Sequence, residues 1–318
     1  MILSIPMNIQ QMEYLVAVDR FKNFTKAADY CNVTQATLSA MVKKLEEELG
    51  CVLFDRKSSP ILTTDIGQMI IDECKIILAH CRQIHEKAKK HSGLVEGKIK
   101  LGVIPTIASS LLPRIIKPLL ATHPKLHLEI VETPTRNIIK HIKDGTLDAG
   151  IIATPGTDET IEEKILYYET LMVYGEVDKT MKYIMPEEIK NSKVWLLEEG
   201  HCLREQFIQL CALKKKDTKP QNLTFDANSF ETLLGMVDEF GGLTLIPELY
   251  YQSLPKERQE KVSLFHPPVP VREVSLVYYR PFAKERIITA LAELITGTIE
   301  KTLMSKRYSN AELVIARV

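Results

Sequence analysis

From residue 65 to about residue 90 the chain runs without a proline, and apolar residues return at helical spacing. Ile66, Met69, Ile70, Ile77, Cys81, Ile84 and Ala88 form one stripe on a charged background. A helix of that length divides the chain. The segment before it is too short to be more than a small domain, and the remainder is long enough for a sizeable core of its own. No later segment folds back onto the stripe nearby in sequence, so its natural partner is a second copy of the same helix. Cys74, Cys81 and His85 share a face of this helix, a spacing a metal could use across a dimer. The apolar stripe explains them more cheaply, and no metal or other cofactor is expected.

Ahead of the long helix, helical periodicity spans residues 8–18 through Ile9, Met12, Leu15 and Val16. A second helix is predicted over 25–31, capped by Asn23 or Thr25. After the break at Asn32-Val33 comes a third over 34–46, giving two short helices on a tight turn, the form of a helix-turn-helix. Leu38, Val42 (with Met41) and Leu45 should face its core, while Gln35, Ala36, Thr37, Ser39, Ala40 and Lys43 face outward. That outward surface is small and polar, with no acid before Glu46, and it suits a major groove. Leu53 to Thr63 reads as strand, turn and strand, a wing with Arg56 and Lys57 at its tip. Charge does not advertise the function. The first 65 residues hold seven cations (Arg20, Lys22, Lys26, Lys43, Lys44, Arg56, Lys57) against eight acids, and the whole chain balances 41 against 41. Any DNA contact must rest on where these charges sit: Gln35, Thr37 and Ser39 for base edges, and Lys43, Lys44, Arg56 and Lys57 for phosphates.

Residues 91–97 are the one good linker candidate. Beyond them strands and helices alternate: strand 98–104, helix 111–123, strand 126–131, helix 136–144, strand 149–153. Later come a strand-like run at 194–197, a helix at 229–240, strands at 243–245 and 274–279, and a final helix at 286–303. Such alternation predicts an α/β domain with parallel sheets covered on both faces. No apolar run approaches a membrane span and no signal-peptide core is visible, so a cytoplasmic protein without a membrane partner is expected. In that compartment six cysteines are free thiols, redox centres or ligands rather than a disulfide framework.

Two of those cysteines stand apart. Cys202 follows a turn glycine and sits between His201 and Arg204, where a helix should begin; a nearby cation and a helix N-terminus both favour the reactive thiolate. Cys211 lies nine residues on. Along one helix the two would be roughly 13.5 Å apart, whereas a disulfide tolerates a Cα separation of only about 4.4–6.8 Å. Joining them therefore requires the helix to come apart. The plainer alternative is two unrelated cysteines, with Cys211 a small core residue.

The run Phe24-Thr25-Lys26-Ala27-Ala28, Thr34-Gln35, Leu38-Ser39, Val42, Leu45-Glu46, Leu49-Gly50, Leu53-Phe54-Asp55-Arg56 and Thr64 resembles the winged helix-turn-helix of LysR-type transcriptional regulators. The resemblance continues over nearly the whole chain, up to Ser305. Gly200-His201-Cys202-Leu203-Arg204 with Cys211, Ser229-Phe230-Glu231-Thr232-Leu233, Gly241 to Pro247 and Tyr279-Arg280-Pro281 are similar to the peroxide-sensing members of that family. Two departures are Ala36, where proline is common, and Asp65-Ile66-Gly67 at the start of the long helix.

The resemblance implies a winged helix-turn-helix over 7–64, a dimerising linker helix and hinge over 65–97, and a two-lobed, periplasmic-binding-protein-like α/β effector domain over 98–303. Lobe I would take about 98–168 and 274–303, lobe II about 169–273, and 304–318 would be a tail. It further implies that hydrogen peroxide oxidises Cys202, that Cys211 resolves it to a disulfide, and that Thr106, Thr135, His201, Arg204 and Arg280 hold the peroxide or activate the thiolate. The implied partners are promoter DNA, peroxide, a homodimer that goes on to a homotetramer, RNA polymerase and a cytosolic thiol reductant. Two other readings stay open: a metabolite-binding regulator of the same family without a redox switch, and a thiol peroxidase, which would have no use for residues 8–65.

Overall fold

The structure is a computed structural model describing residues 7–88, 95–154, 158, 160–176, 183–190, 192–213, 227–279 and 284–316, apart from the side chains of 82, 83 and 85–88. The chain forms two compact units, one within Met1–Gly93 and one within Leu94–Tyr279 and Glu285–Val318.

In the smaller unit α1 (Ile9–Phe21), α2 (Phe24–Tyr30) and α3 (Gln35–Leu49) precede β1 (Phe54–Asp55), β2 (Leu62–Thr63) and α4 (Asp65–Ala88). Each of the first three helices starts on a side-chain cap. Asn8 and Gln11 form a reciprocal box on α1, Asn23 caps α2, and Thr34 caps α3. Leu38, Val42 and Leu45 are fully buried, as their spacing requires, in a core shared with Leu15, Val18, Ala27, Leu53 and Phe54. β1 and β2 pair antiparallel, making the wing. α4 closes this core with Ile71, Cys74 and Leu78. Burial pushes the Cys74 thiol up to about 11, so it is an inert core residue. Ile66, Met69, Ile77 and Ile84, by contrast, remain exposed on α4. The helix thus has two apolar faces, one covered and one bare. A wing start this close to α4 leaves no room at Gly67, where a Cβ would lie 2.2 Å from the Leu53 carbonyl oxygen.

The larger unit begins with the expected alternation: β3 (Gly97–Val103), α5 (Pro105–Thr122), β4 (Leu126–Glu132), α6 (Thr135–Lys143) and β5 (Ala149–Thr154). Then come β6 (Ile161–Gly175), β7 (Tyr183–Ile184), α7 (Pro186–Ile189), α8 (Cys202–Leu210) and α9 (Phe230–Phe240). The last group is β8 (Leu243–Pro247), α10 (Glu248–Tyr251), α11 (Lys256–Gln259), β9 (Val262–Phe265), β10 (Val269–Tyr279), α12 (Glu285–Ile299) and β11 (Leu313–Ile315). Nine strands join in one sheet, ordered β4-β3-β5-β10-β6-β9-β7, with β8 beside β6 and β11 beside β10.

The sheet is mixed rather than parallel. β3, β4 and β5 are parallel, but β10 runs antiparallel to both β5 and β6. The cause is β6, a strand whose opening Glu162-Glu163-Lys164 conceals it in the sequence. β6 pairs with β10 up to Thr170 and then with β8 and β9 from Leu171 on. One strand therefore serves two core regions. The run 194–197 is buried but pairs only at isolated points, Val194 with Leu243 and Leu197 with Ala227. α12 ends at Ile299, four residues short of expectation, and continues as single 3-10 turns. The tail is ordered too, since β11 pairs in parallel with Val269–Val271. No helix among the described residues is long and apolar enough to cross a membrane.

Candidate functional site

Gly200 takes φ +97°, a left-handed turn that suits glycine, and aims the chain so that α8 begins at Cys202. His201 is the cap residue but supplies no side-chain cap. The first-turn amides of α8 therefore have no side-chain cap, Cys202's own amide bonds its thiol, and Cys202 stands at the positive end of the helix. A second helix N-terminus meets it there. Thr135, the first residue of α6, brings its Oγ1 to 3.0 Å from Cys202 Sγ. Thr106 stands in the first turn of a third helix, α5, and is buried.

The cation of this site is Arg272, from the middle of β10. Its side chain and that of Glu169 on β6 are both 0% exposed. Nε and Nη2 donate to Glu169 Oε1 at 3.1 and 2.7 Å, Nη1 donates to Thr106 Oγ1 at 3.0 Å, and Nη2 also reaches the Thr106 carbonyl at 3.2 Å. Glu169 Oε2 in turn accepts from the Leu249 amide at the start of α10. A guanidinium only donates, so Thr106 Oγ1 must accept from it, and the Thr106 hydroxyl proton is left to point elsewhere.

Burial dominates the Cys202 thiol and pushes it up. The hydrogen bond from Thr135, the Arg272 charge and its own backbone amide pull the other way without winning, and Glu205 adds to the rise. The expected low resting thiol pKa is therefore not what this state shows, because the side chain is 7% exposed and the nearby cation already shares its charge with Glu169. His201 does not supply a cation. Burial lowers its pKa against a weaker opposing pull from Glu198, 4.0 Å away. Arg204 turns to the preceding segment, its Nη1 donating to the Leu197 carbonyl at 2.7 Å. Arg280 lies outside the described residues. Cys211 caps the far end of α8, buried, with burial and Glu187 pushing its thiol up to about 12. Both cysteines are free thiols. With an intact helix between them, they stand roughly 13.5 Å apart along its axis.

Thr135 thus bonds Cys202, Thr106 bonds Arg272, and the Arg272 charge is felt at Cys202, while Arg204 is bonded to the Leu197 carbonyl. Arg272 and Glu169 escaped sequence reasoning, although a signal existed: each is a charge within a strand that is otherwise largely apolar, Arg272 after Val269-Pro270-Val271 and Glu169 shortly before Leu171-Met172-Val173, and a buried charge needs a partner. Among the described residues no group of three or more potential metal ligands converges.

On the smaller unit, Gln35, Ala36 and Thr37 are exposed in the first turn of α3. Thr37 donates its backbone amide to the Thr34 cap and pairs with its hydroxyl at 2.8 Å. Ser39 is half-buried and accepts from Arg56 Nη1 at 3.2 Å. Arg56 is exposed yet bonded to its own domain: Nη2 donates to Glu46 Oε2 at 2.6 Å and the guanidinium lies 5.0 Å from the Phe24 ring centre. Glu46 also accepts from the amides of Leu53 and Phe54, so this pair fastens the wing to α3. Lys57 is exposed at the wing tip. Lys43 and Lys44 face Glu47 and Glu48 at 3.7 Å each, exposed pairs of little energetic weight that leave both lysines available to a phosphate.

Residues 92–299 match the family described as LysR substrate binding domain, and residues 9–68 match bacterial regulatory helix-turn-helix protein, lysR family. The DNA-binding transcriptional dual regulator OxyR of Escherichia coli K12 is 33% identical over 308 residues, covering 93% of this chain and 99% of its own. The hydrogen peroxide-inducible genes activator of Haemophilus influenzae is 33% identical over 302 residues, 92% of this chain and 99% of its own. Among solved structures, a full-length cysteine-to-aspartate variant of OxyR from Pseudomonas aeruginosa matches with a TM-score of 0.75 at 30% identity, over 91% of this chain and 98% of that one.

Proposed function

The chain belongs to the LysR family of bacterial helix-turn-helix regulators, and from that premise we propose that it is a cytoplasmic regulator that senses hydrogen peroxide through Cys202 and Cys211. The observation that carries this is the Cys202 site: a thiol at a helix start, bonded to Thr135, beside a buried cation that fixes the Thr106 hydroxyl. The relatives named for peroxide and for OxyR support the same reading. The metabolite-binding alternative leaves that arrangement without a purpose.

The chemistry proceeds in two steps. Peroxide enters between Thr106 and Thr135, whose hydroxyls can donate to its oxygens. The Cys202 thiolate attacks one oxygen, the O–O bond breaks, and the departing hydroxide takes the proton the thiol released, leaving a sulfenic acid and water. Arg272 stabilises the charge that builds on the leaving oxygen. The Cys211 thiolate then attacks the sulfenic sulfur and expels hydroxide, which takes the proton released by the Cys211 thiol and leaves as a second water, forming the disulfide. Because the sulfurs begin at opposite ends of α8, this second step needs the helix to open and exposes Phe207, now 1% exposed. That opening costs about 1.5–3 kcal/mol for this side chain alone. The reaction is stoichiometric, so the protein is a sensor rather than an enzyme, and a cytosolic thiol reductant resets it.

DNA binding uses α3 and the wing, with Gln35, Ala36, Thr37 and Ser39 toward base edges and Lys43, Lys44 and Lys57 toward phosphates. The bare α4 face of Ile66, Met69, Ile77 and Ile84 pairs with a second copy, and two such dimers make the tetramer that spans paired half-sites. RNA polymerase is the partner that reads the change in the promoter complex. Footprinting on the promoter of its own operon tests this reading. Peroxide should alter the protected pattern and a dithiol should restore it, whereas an identical footprint in both states would refute the switch.

Two smaller results are expected. Lys57→Ala should weaken binding to all sequences alike and reduce the salt slope by about 1 per site; an unchanged slope would remove Lys57 from the phosphate contacts. The oxidation rate should rise with pH. Burial holds Cys202 as the thiol near neutrality, and only the thiolate reacts, so stopped-flow rates should climb about tenfold per pH unit from 6 to 8. A flat profile would mean that the thiolate is already fully formed at pH 6.

A further inference from the structure

The tail beyond α12 is tied to the helix that separates the two thiols. Ser309 and Glu312 form a reciprocal cap on the 3-10 turn Asn310–Glu312, which delivers β11 onto the edge of β10. One residue past β11, the Ala316 amide donates to the Val271 carbonyl at 2.9 Å. Its own carbonyl accepts from Gln206 Nε2 at 2.8 Å, a buried bond between the tail and the middle of α8. Gln206 is 0% exposed, and Ala316 belongs to the same core cluster as Leu203, Phe207 and Cys211. An amide on the core face of a helix is costly unless it is bonded. Here Nε2 is satisfied by the tail and Oε1 has no partner among the described residues. The tail therefore holds α8 by one strong point rather than two.

Gln206 stands between Cys202 and Cys211 in the sequence, so any route to their disulfide that unwinds α8 must break its bond to Ala316. The first chemical step does not need that: Cys202, Thr135, Thr106 and Arg272 meet with α8 intact. We propose that the C-terminal strand is a latch on the switch helix, with Gln206 as the positioning residue through which it acts. The latch sets the rate of disulfide closure while leaving the oxidation of Cys202 untouched. This rests on the peroxide reading above and names the regulation of that same site.

Two rates separate the latch from the reading beneath it. After rapid mixing of the full chain with hydrogen peroxide and quenching with an alkylating agent, the loss of alkylatable Cys202 reports the first step. The appearance of the linked Cys202–Cys211 peptide reports the second. The comparison covers the full chain, a chain ended after Asn310, Gln206→Ala, and the two changes combined. In both single variants Cys202 should be lost at the unaltered rate. The linked peptide should appear roughly tenfold faster, the factor expected for one buried hydrogen bond. The combined variant should be no faster than the shortened chain, because both changes remove one shared contact. A linked-peptide rate unchanged in both variants overturns the latch, and so do additive effects, which would signal general loosening of the domain. Should the shortened chain fail to fold, the Gln206→Ala rate decides alone. If Cys202 in the full chain never reacts, the peroxide reading itself fails and the latch falls with it.

Discussion

Cys202→Ser should abolish the change of promoter footprint with peroxide while leaving the reduced footprint and the fold in place. Serine keeps the shape at the first position of α8 and the hydrogen bond to Thr135, and the site belongs to the larger unit, whereas the helix-turn-helix core belongs to the smaller one. The hydroxyl cannot take the place of the thiolate, so the loss is complete rather than graded. Cys211→Ser should behave differently, reacting with peroxide once and stopping at the sulfenic acid. A Cys202→Ser protein that still responds normally would place the sensing thiol at Cys31, Cys51, Cys74, Cys81 or Cys211. Cys74 and Cys211 are the poorest of these candidates, with burial pushing their thiols up to about 11 and about 12.

Arg272→Met should be the most damaging single change in the larger unit. It strands the Glu169 carboxylate, 0% exposed, with the Leu249 amide still bonded to it but no cation to balance its charge. Breaking one side of a buried pair costs about 3–5 kcal/mol, which for a unit of this size lowers the melting temperature by roughly 6–20 °C. Adding Glu169→Leu removes the stranded charge, and the double variant should recover most of the lost stability. It should not recover reactivity. Without the Arg272 charge the Cys202 thiol rises further and Thr106 loses the donor that fixes its hydroxyl. Thermal unfolding followed alongside peroxide kinetics separates the two roles. Recovery of both together would show that Arg272 serves packing alone.

The parts of the fold that were legible in the sequence are those that local rules decide. Asn23 ahead of α2, the buried triplet Leu38, Val42 and Leu45, and the proline-free run of α4 follow from capping and from the 3.6-residue period. The parallel β3-α5-β4-α6-β5 stretch follows from alternation. β6 was hidden because its first residues are charged, and its partners β10 and β8 lie far along the chain, where no local pattern points to them. At the thiol site the glycine turn and Cys202 at a helix start are written in neighbouring residues. The 103-residue separation of Arg272 from Glu169 is not, and neither is the choice of Arg272 over Arg204 as the cation near the thiol. The tail shows the same limit. Nothing around Ala316 announces that its carbonyl will meet Gln206, 110 residues earlier.

Peptide mapping of the full-length protein under non-reducing conditions, seconds after one equivalent of hydrogen peroxide, tests the central claim most directly. A single cross-linked species joining Cys202 to Cys211, reversed by a dithiol, is the expected product. A Cys202 that stays at the sulfenic acid while Cys211 stays freely alkylatable would contradict it, because α8 would then never have opened to bring the second sulfur across.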